Sequence, residues 1–159
     1  MKNSQQPRLL ISACLCGQRC RYDGGGFDLP ALRRLADSGA ALPFCPECAG
    51  GLPTPRTPCE ISGGQVLARD GRDCTAEYRQ GAALALELCR RYGLTAAILK
   101  DGSPSCGVTR IYDGTHTGRR IPGQGVTAHL LAQEGIALYT EDNWAEQLSL
   151  SETPPCKQP

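Results

Sequence analysis

"TAEYRQGAALALELCRRYGLTAAILK", residues 75–100, carries the pattern on which the fold turns. Over 75–93, Tyr78, Ala82, Leu84–Leu86 and Leu88–Cys89 build one apolar side at helical spacing. Thr75 stands where a helix cap belongs, and Gly93 where a helix stops. "TAAILK" (95–100) follows at once, a short apolar run that reads as a buried strand. A helix running straight into a buried strand is half of a βαβ unit.

The same alternation extends both ways. "RLLISA" (8–13) is a buried strand, "ALRRLADSG" (31–39) a short helix stopped at Gly39, and "ALPF" (41–44) a weak strand. The three prolines of "GLPTPRTPCEI" (51–61) forbid a helix and predict a stiff extended segment. "QVLARDGRD" (65–73) is a small strand and turn. Toward the end, "GVTAHLLAQEG" (125–135) is a helix, "IALYT" (136–140) a strand and "EDNWAEQLSL" (141–150) another helix. This order predicts an α/β fold: a mostly parallel sheet with helices on both faces, a Rossmann-like three-layer arrangement. One domain is expected over 8–150, with flexible ends at 1–7 and 151–159.

In such a sheet, ligands bind beyond the carboxyl ends of the strands. Cys14 lies just past the first strand, Cys45 just past the second, and Cys106 a few residues past "TAAILK". All three sit in Gly/Pro-rich loops, so the topology gathers them at one rim.

The chain of 159 residues has ten cysteines, a formal net charge of +1, 40% hydrophobic and 21% charged residues. That composition is globular and offers no electrostatic case for wholesale nucleic-acid or membrane binding. The arginine doublets (Arg33–Arg34, Arg90–Arg91, Arg119–Arg120) read as solvated faces. No apolar run approaches the ~20 residues of a membrane span. The short polar start "MKNSQQPR" lacks a signal's layout, so a cytoplasmic address is the expectation. Thiols stay reduced there, and ten of them point to metal, cluster or thiolate chemistry rather than a disulfide framework.

Not every thiol needs a role. Cys89, inside the long helix, reads as a small buried hydrophobe; Cys74 and Cys156 read as incidental, and Cys59 is ambiguous. "CPEC" (45–48) suits zinc or a redox pair, while "CLCGQRC" (14–20) matches no zinc spacing. His116 and His129 add little. A soft all-thiolate set fits a closed structural zinc site or an iron–sulfur cluster with one open iron, and the pattern leaves both standing.

Four stretches, "ISACLCGQRCRYDG" (11–24), "CPECAGGLPTPRTPCEI" (45–61), "LKDGSPSCG" (99–107) and "IYDGTHTGRRIPGQGVTAHLL" (111–131), resemble the family labelled DUF523, whose members include thiouracil desulfidases. The resemblance runs over about residues 8–140. It implies an oxygen-sensitive [4Fe–4S] cluster held by three cysteines, here Cys14, Cys45 and Cys106. It implies non-redox, hydrolytic desulfuration of a small thiolated pyrimidine such as 2- or 4-thiouracil, with Glu47 and Ser103 as the catalytic or substrate-contacting pair. Thiols at Cys16, Cys48, Cys59 and Cys74 depart from the family pattern. Cys16 or Cys48 could replace a neighbouring ligand, or pair with it when the cluster is lost.

Each partner residue also has a plainer reading. Glu47 could cap the next segment, and Ser103 could be a turn residue before Pro104. Asp23 and Asp113, in Asp-Gly pairs, read as turn formers, though Asp23 could face the cleft. Lys100 and Asp101 follow a strand and could reach a substrate; Arg56, in "TPRTP", could clamp an anion or a carbonyl oxygen. Gly50, Gly51 and Gly107 are expected to let backbone approach the cofactor. Competing functions are a structural zinc or cluster-binding module, a thiol redox protein using "CPEC", and the same chemistry on a thiolated nucleotide or on tRNA. The near-neutral charge weighs against bulky RNA.

Overall fold

A computed structural model describes residues 7–148. The expected flexible ends, Cys156 among them, lie outside the described residues except for Pro7. The chain runs β1 (Leu9–Ser12), α1 (Pro30–Asp37), β2 (Ala41–Phe44), α2 (Pro46–Ala49), β3 (Cys59–Ser62), β4 (Gln65–Ala68) and α3 (Thr75–Tyr92). It continues through β5 (Ala96–Leu99), β6 (Arg110–Tyr112), β7 (Arg120–Pro122), α4 (Val126–Gln133), β8 (Ala137–Thr140) and α5 (Trp144–Gln147).

Four strands form the central parallel sheet in the order β2-β1-β5-β8. Side chains alternate across it, as a strand's period of two requires. Leu9, Ile11 and Ile98 face Leu32 of α1, with Trp144 of α5 packed alongside. Leu10, Ala97 and Leu99 face Ala85, Leu86 and Cys89 of α3 and Ala128 and Leu131 of α4. Both faces are therefore covered. That explains why β1 is buried along its whole length and apolar from Leu9 to Ile11. The expected three-layer α/β architecture is the one observed, and Cys89 takes its place as a small core residue. None of the helices among the described residues is long and apolar enough to cross a membrane.

Two antiparallel ribbons, β3–β4 and β6–β7, stand apart from this sheet. The sequence reading missed the second ribbon, the short α2 and a single 3-10 turn at Ala13–Cys16. At the start of α3 it misplaced the cap. The Thr75 hydroxyl accepts the Val66 amide at 2.9 Å and donates to Asp73, whose carboxylate receives the Thr75 amide at 2.9 Å. The N-terminal turn is thus tied to β4 rather than to its own helix. Gly93 ends the helix as expected, in the left-handed region with φ +66°.

Helix α2 lies against α3 through two glycines. A Cβ on Gly81 would meet the Pro46 carbonyl oxygen at 2.0 Å, and one on Gly50 would meet the Glu77 carbonyl oxygen at 2.0 Å. Both obstacles are backbone and cannot swing aside. Alanine normally stabilises a helix interior by ~1 kcal/mol over glycine. Gly81→Ala is nevertheless expected to lower stability by ~1–3 kcal/mol, because α2 must move away from α3. Thermal unfolding checks this; a rise in melting temperature would contradict the close approach.

Candidate functional site

Three strand ends and their loops enclose one cavity of about 360 Å³. Strand β1 ends at Ser12 and delivers Cys14 through the 3-10 turn. Strand β2 ends at Phe44, level with Ser12 in the parallel register, so Cys45 follows alongside. Pro46 opens α2, where a missing N–H is harmless, and Glu47 occupies the first turn. From β5 the chain makes a compact loop that carries Ser103 and Cys106. Cys14, Cys45, Cys106, Glu47 and Ser103 all line the cavity.

The third loop is folded around Asp101. Its carboxylate is buried at 3% exposure and receives the amides of Gly102, Val108, Thr109 and Arg110 together with the Thr109 hydroxyl. Those bonds hold its ionised form below the usual carboxylate range, against the opposing pull of burial. Asp101 is therefore spent on positioning the Cys106 loop rather than on reaching a substrate. Gly107 belongs to the same knot: a Cβ there would meet the Arg110 and Ser103 carbonyl oxygens at 2.6 and 2.8 Å. Lys100 is likewise engaged. Its ammonium donates to the Asp101 carbonyl at 2.7 Å and lies 3.0 Å from the Glu141 carboxylate.

Sequence reasoning left Cys20 without a role, yet it lines the cavity. Its thiol adjoins those of Cys14 and Cys45, and its carbonyl lies 3.8 Å from the Cys45 sulfur and 3.9 Å from the Cys48 sulfur. The hydrogen bond to Cys14 chiefly pushes the Cys20 thiol up to about 12. Contact with Cys20, then burial, pushes the Cys45 thiol up as well. Burial pushes the Cys106 thiol up to about 12, opposed by a hydrogen bond from Ser12. Ser12, itself buried, also accepts the Lys100 amide at 3.0 Å and so links β1 to β5 behind that sulfur.

The remaining thiols divide. Cys16 turns away from the cavity toward the Leu32 carbonyl, 3.9 Å off, and packs with the α1 face of the core. Cys48 lies against the Thr54 hydroxyl at 3.3 Å, outside the cavity lining. Cys59 lines the cavity and adjoins Cys74, and both are buried in the cluster beneath β3–β4.

The donor set suits a multi-iron group. It is soft and sulfur-only at Cys14, Cys45 and Cys106, with each sulfur delivered by a different loop. Among the described residues no three His, Cys, Asp or Glu side chains converge on a single-ion position. Three thiolates that each take a separate corner of a cube need no such point. Buried thiols that hold their protons must release them to bind metal, so loading would be coupled to proton loss.

Glu47 and Ser103 meet across the cavity, the Ser103 hydroxyl 3.4 Å from Oε2 of Glu47. The same hydroxyl accepts the Ser105 and Cys106 amides at 3.0 Å each. Ser103 is therefore both a turn former and a partner of Glu47. The other carboxylate oxygen, Oε1, receives Arg56 through Nε at 2.9 Å and a terminal nitrogen at 2.8 Å. Arg56 is not a free anion clamp; it serves Glu47. Asp23 and Asp113 do form turns, accepting the amides of Gly25 and Thr115 at 2.9 Å each, and neither lines the cavity. Gly50 packs on α3, and neither Gly50 nor Gly51 is in the cavity lining.

A parallel α/β domain whose loops bring five cysteine thiols, a carboxylate and a hydroxyl to one cavity defines a class of thiolate-based metalloprotein sites. The chain belongs to the 2-thiouracil desulfurase family, whose model matches residues 9–143. It is 41% identical to the uncharacterized protein YbbK of Bacillus subtilis (strain 168), over 84% of this chain and 95% of that one. It is also similar to a solved structure of TudS, a [4Fe–4S]-dependent thiouracil desulfidase, with a TM-score of 0.86 and 46% identity over 93% of this chain and 99% of that one.

Proposed function

We propose that this protein hydrolyses the C=S bond of thiolated pyrimidines, with 2- and 4-thiouracil the simplest substrates, using a [4Fe–4S] cluster held by Cys14, Cys45 and Cys106. The observation that carries this reading is the meeting of Glu47 and Ser103, 3.4 Å apart, in the cavity that the three thiols line. When bound, the cluster supplies a thiophilic Lewis acid, because three protein ligands leave one iron open.

The chain's own groups supply the rest. Oε2 of Glu47 faces the cavity and takes a proton from water, whose oxygen adds to the ring carbon. A general base of this kind contributes ~10²–10⁴-fold. The Ser103 hydroxyl is anchored by two amides, so it presents its proton in a constant direction, to Oε2 or to the substrate. The carbon exchanges sulfur for oxygen with no change in oxidation state; C=S and water become C=O and hydrogen sulfide. No electron donor enters. The cytoplasm, where thiols stay reduced, is the compartment that suits ten cysteines.

The test is anaerobic reconstitution with iron and sulfide, then incubation with 2- and 4-thiouracil while sulfide is followed. Release of one sulfide per base converted is expected. A verified cluster with no release from either base refutes the reading. A second reading, a thiolated nucleotide as substrate, is favoured by Arg21, Arg69, Arg110 and Arg120 in the lining of the same cavity. It predicts a lower KM for the 5′-phosphorylated nucleoside than for the free base.

A further inference from the structure

The Arg56 guanidinium is almost wholly buried, its side chain 5% exposed, and all of its N–H groups are directed at partners. Nε and one terminal nitrogen bind Oε1 of Glu47 at 2.9 and 2.8 Å. The latter nitrogen also donates to the Cys20 carbonyl at 2.8 Å. The other terminal nitrogen donates to the Pro53 carbonyl and the Thr54 hydroxyl, both at 3.0 Å. Two of these anchors are backbone carbonyls, one from the first cysteine loop and one from the proline-rich segment. Glu47 therefore does not set the position of the guanidinium; the guanidinium sets the position of Glu47.

We infer that Arg56 is a positioning residue that selects the working oxygen of Glu47, holding Oε1 and leaving Oε2 toward Ser103 and the cavity. This rests on the reading of Glu47 as general base. A free carboxylate has two equivalent oxygens and rotates readily about its terminal bond, a broad torsion. Two charge-assisted donors on Oε1 remove that equivalence. What remains is one oxygen with open lone pairs at a constant place. Lysine would carry the charge as a point donor and could not reproduce the fork.

The test compares Arg56→Ala, Arg56→Lys and Glu47→Gln, singly and as the double variant Glu47→Gln/Arg56→Ala, all after anaerobic reconstitution. Arg56→Ala is expected to lower kcat by ~10²-fold, the scale of a small misplacement of a catalytic group. KM, iron and sulfide content, and the visible absorption should stay close to those of the unsubstituted protein. Arg56→Lys should recover only part of kcat, and added guanidinium should partly rescue Arg56→Ala. In the Glu47→Gln background, Arg56→Ala should cost nothing more, since two residues acting as one unit are not additive. The inference is overturned if the two losses multiply, if Arg56→Lys is fully active, or if Arg56→Ala loses iron in proportion to its activity. Full activity in Glu47→Gln would instead remove the general-base reading first, and this one with it.

Discussion

Cys106→Ser is expected to give a folded protein that gains no brown colour on anaerobic reconstitution and releases no sulfide from 2- or 4-thiouracil. The fold should tolerate the change. Serine is smaller by little, and the Ser12 and Ser105 hydroxyls beside the Cys106 sulfur can bond an oxygen. The ligand is lost all the same. A serine hydroxyl does not ionise near neutral pH, and its hard oxygen is a poor match for iron in a sulfur cage. The prediction also separates the competing functions. A redox pair at Cys45 and Cys48 does not use Cys106 and would keep its dithiol chemistry. Visible absorption, iron content and a sulfide assay decide the matter, and a brown, active Cys106→Ser protein would sink the three-ligand proposal.

Glu47→Gln should preserve the cluster and reduce sulfide release by ~10²–10⁴-fold, the usual contribution of a general base. The amide keeps the shape of the side chain and cannot take a proton from water. It also leaves a buried guanidinium facing a neutral group. Hydrogen bonds to charged partners contribute ~1.5–3 kcal/mol, so a loss of about 2 kcal/mol of stability should accompany the change. Stability and activity can be read apart, by thermal unfolding and by assay well below the transition. An iron content equal to that of the unsubstituted protein, with near-normal turnover, would take Glu47 out of the reaction.

Much of the framework was legible in the chain because it rests on local periodicity. The 75–100 stretch announced a helix and a strand through apolar spacing, and α3 and β5 stand there. Apolar runs at 8–13 and 95–100 read as buried strands because both faces of a parallel sheet are covered. A one-turn helix and three-residue strands outside that sheet carry no such signal. Helix α2 is one turn long, and the β6–β7 ribbon gives three residues to each strand. The cap at Thr75 was misread because its hydroxyl finds β4, a partner that lies nine residues back in the chain and close only in the fold.

The sequence by itself determined the alternation of strands and helices and the delivery of Cys14, Cys45 and Cys106 to one rim, and its family motifs singled out Glu47 and Ser103. Tertiary structure alone decided how those groups are held. Arg56 could have met a substrate, yet it clamps Glu47. Asp101 could have reached a substrate, yet its carboxylate knots the Cys106 loop. Gly81 stands inside a helix, and it admits the Pro46 backbone there. The physical reason is the same in each case. Patterns along the chain report which face of an element is apolar, whereas a buried charge or an absent side chain acquires meaning only from the partner that folding brings within bonding distance.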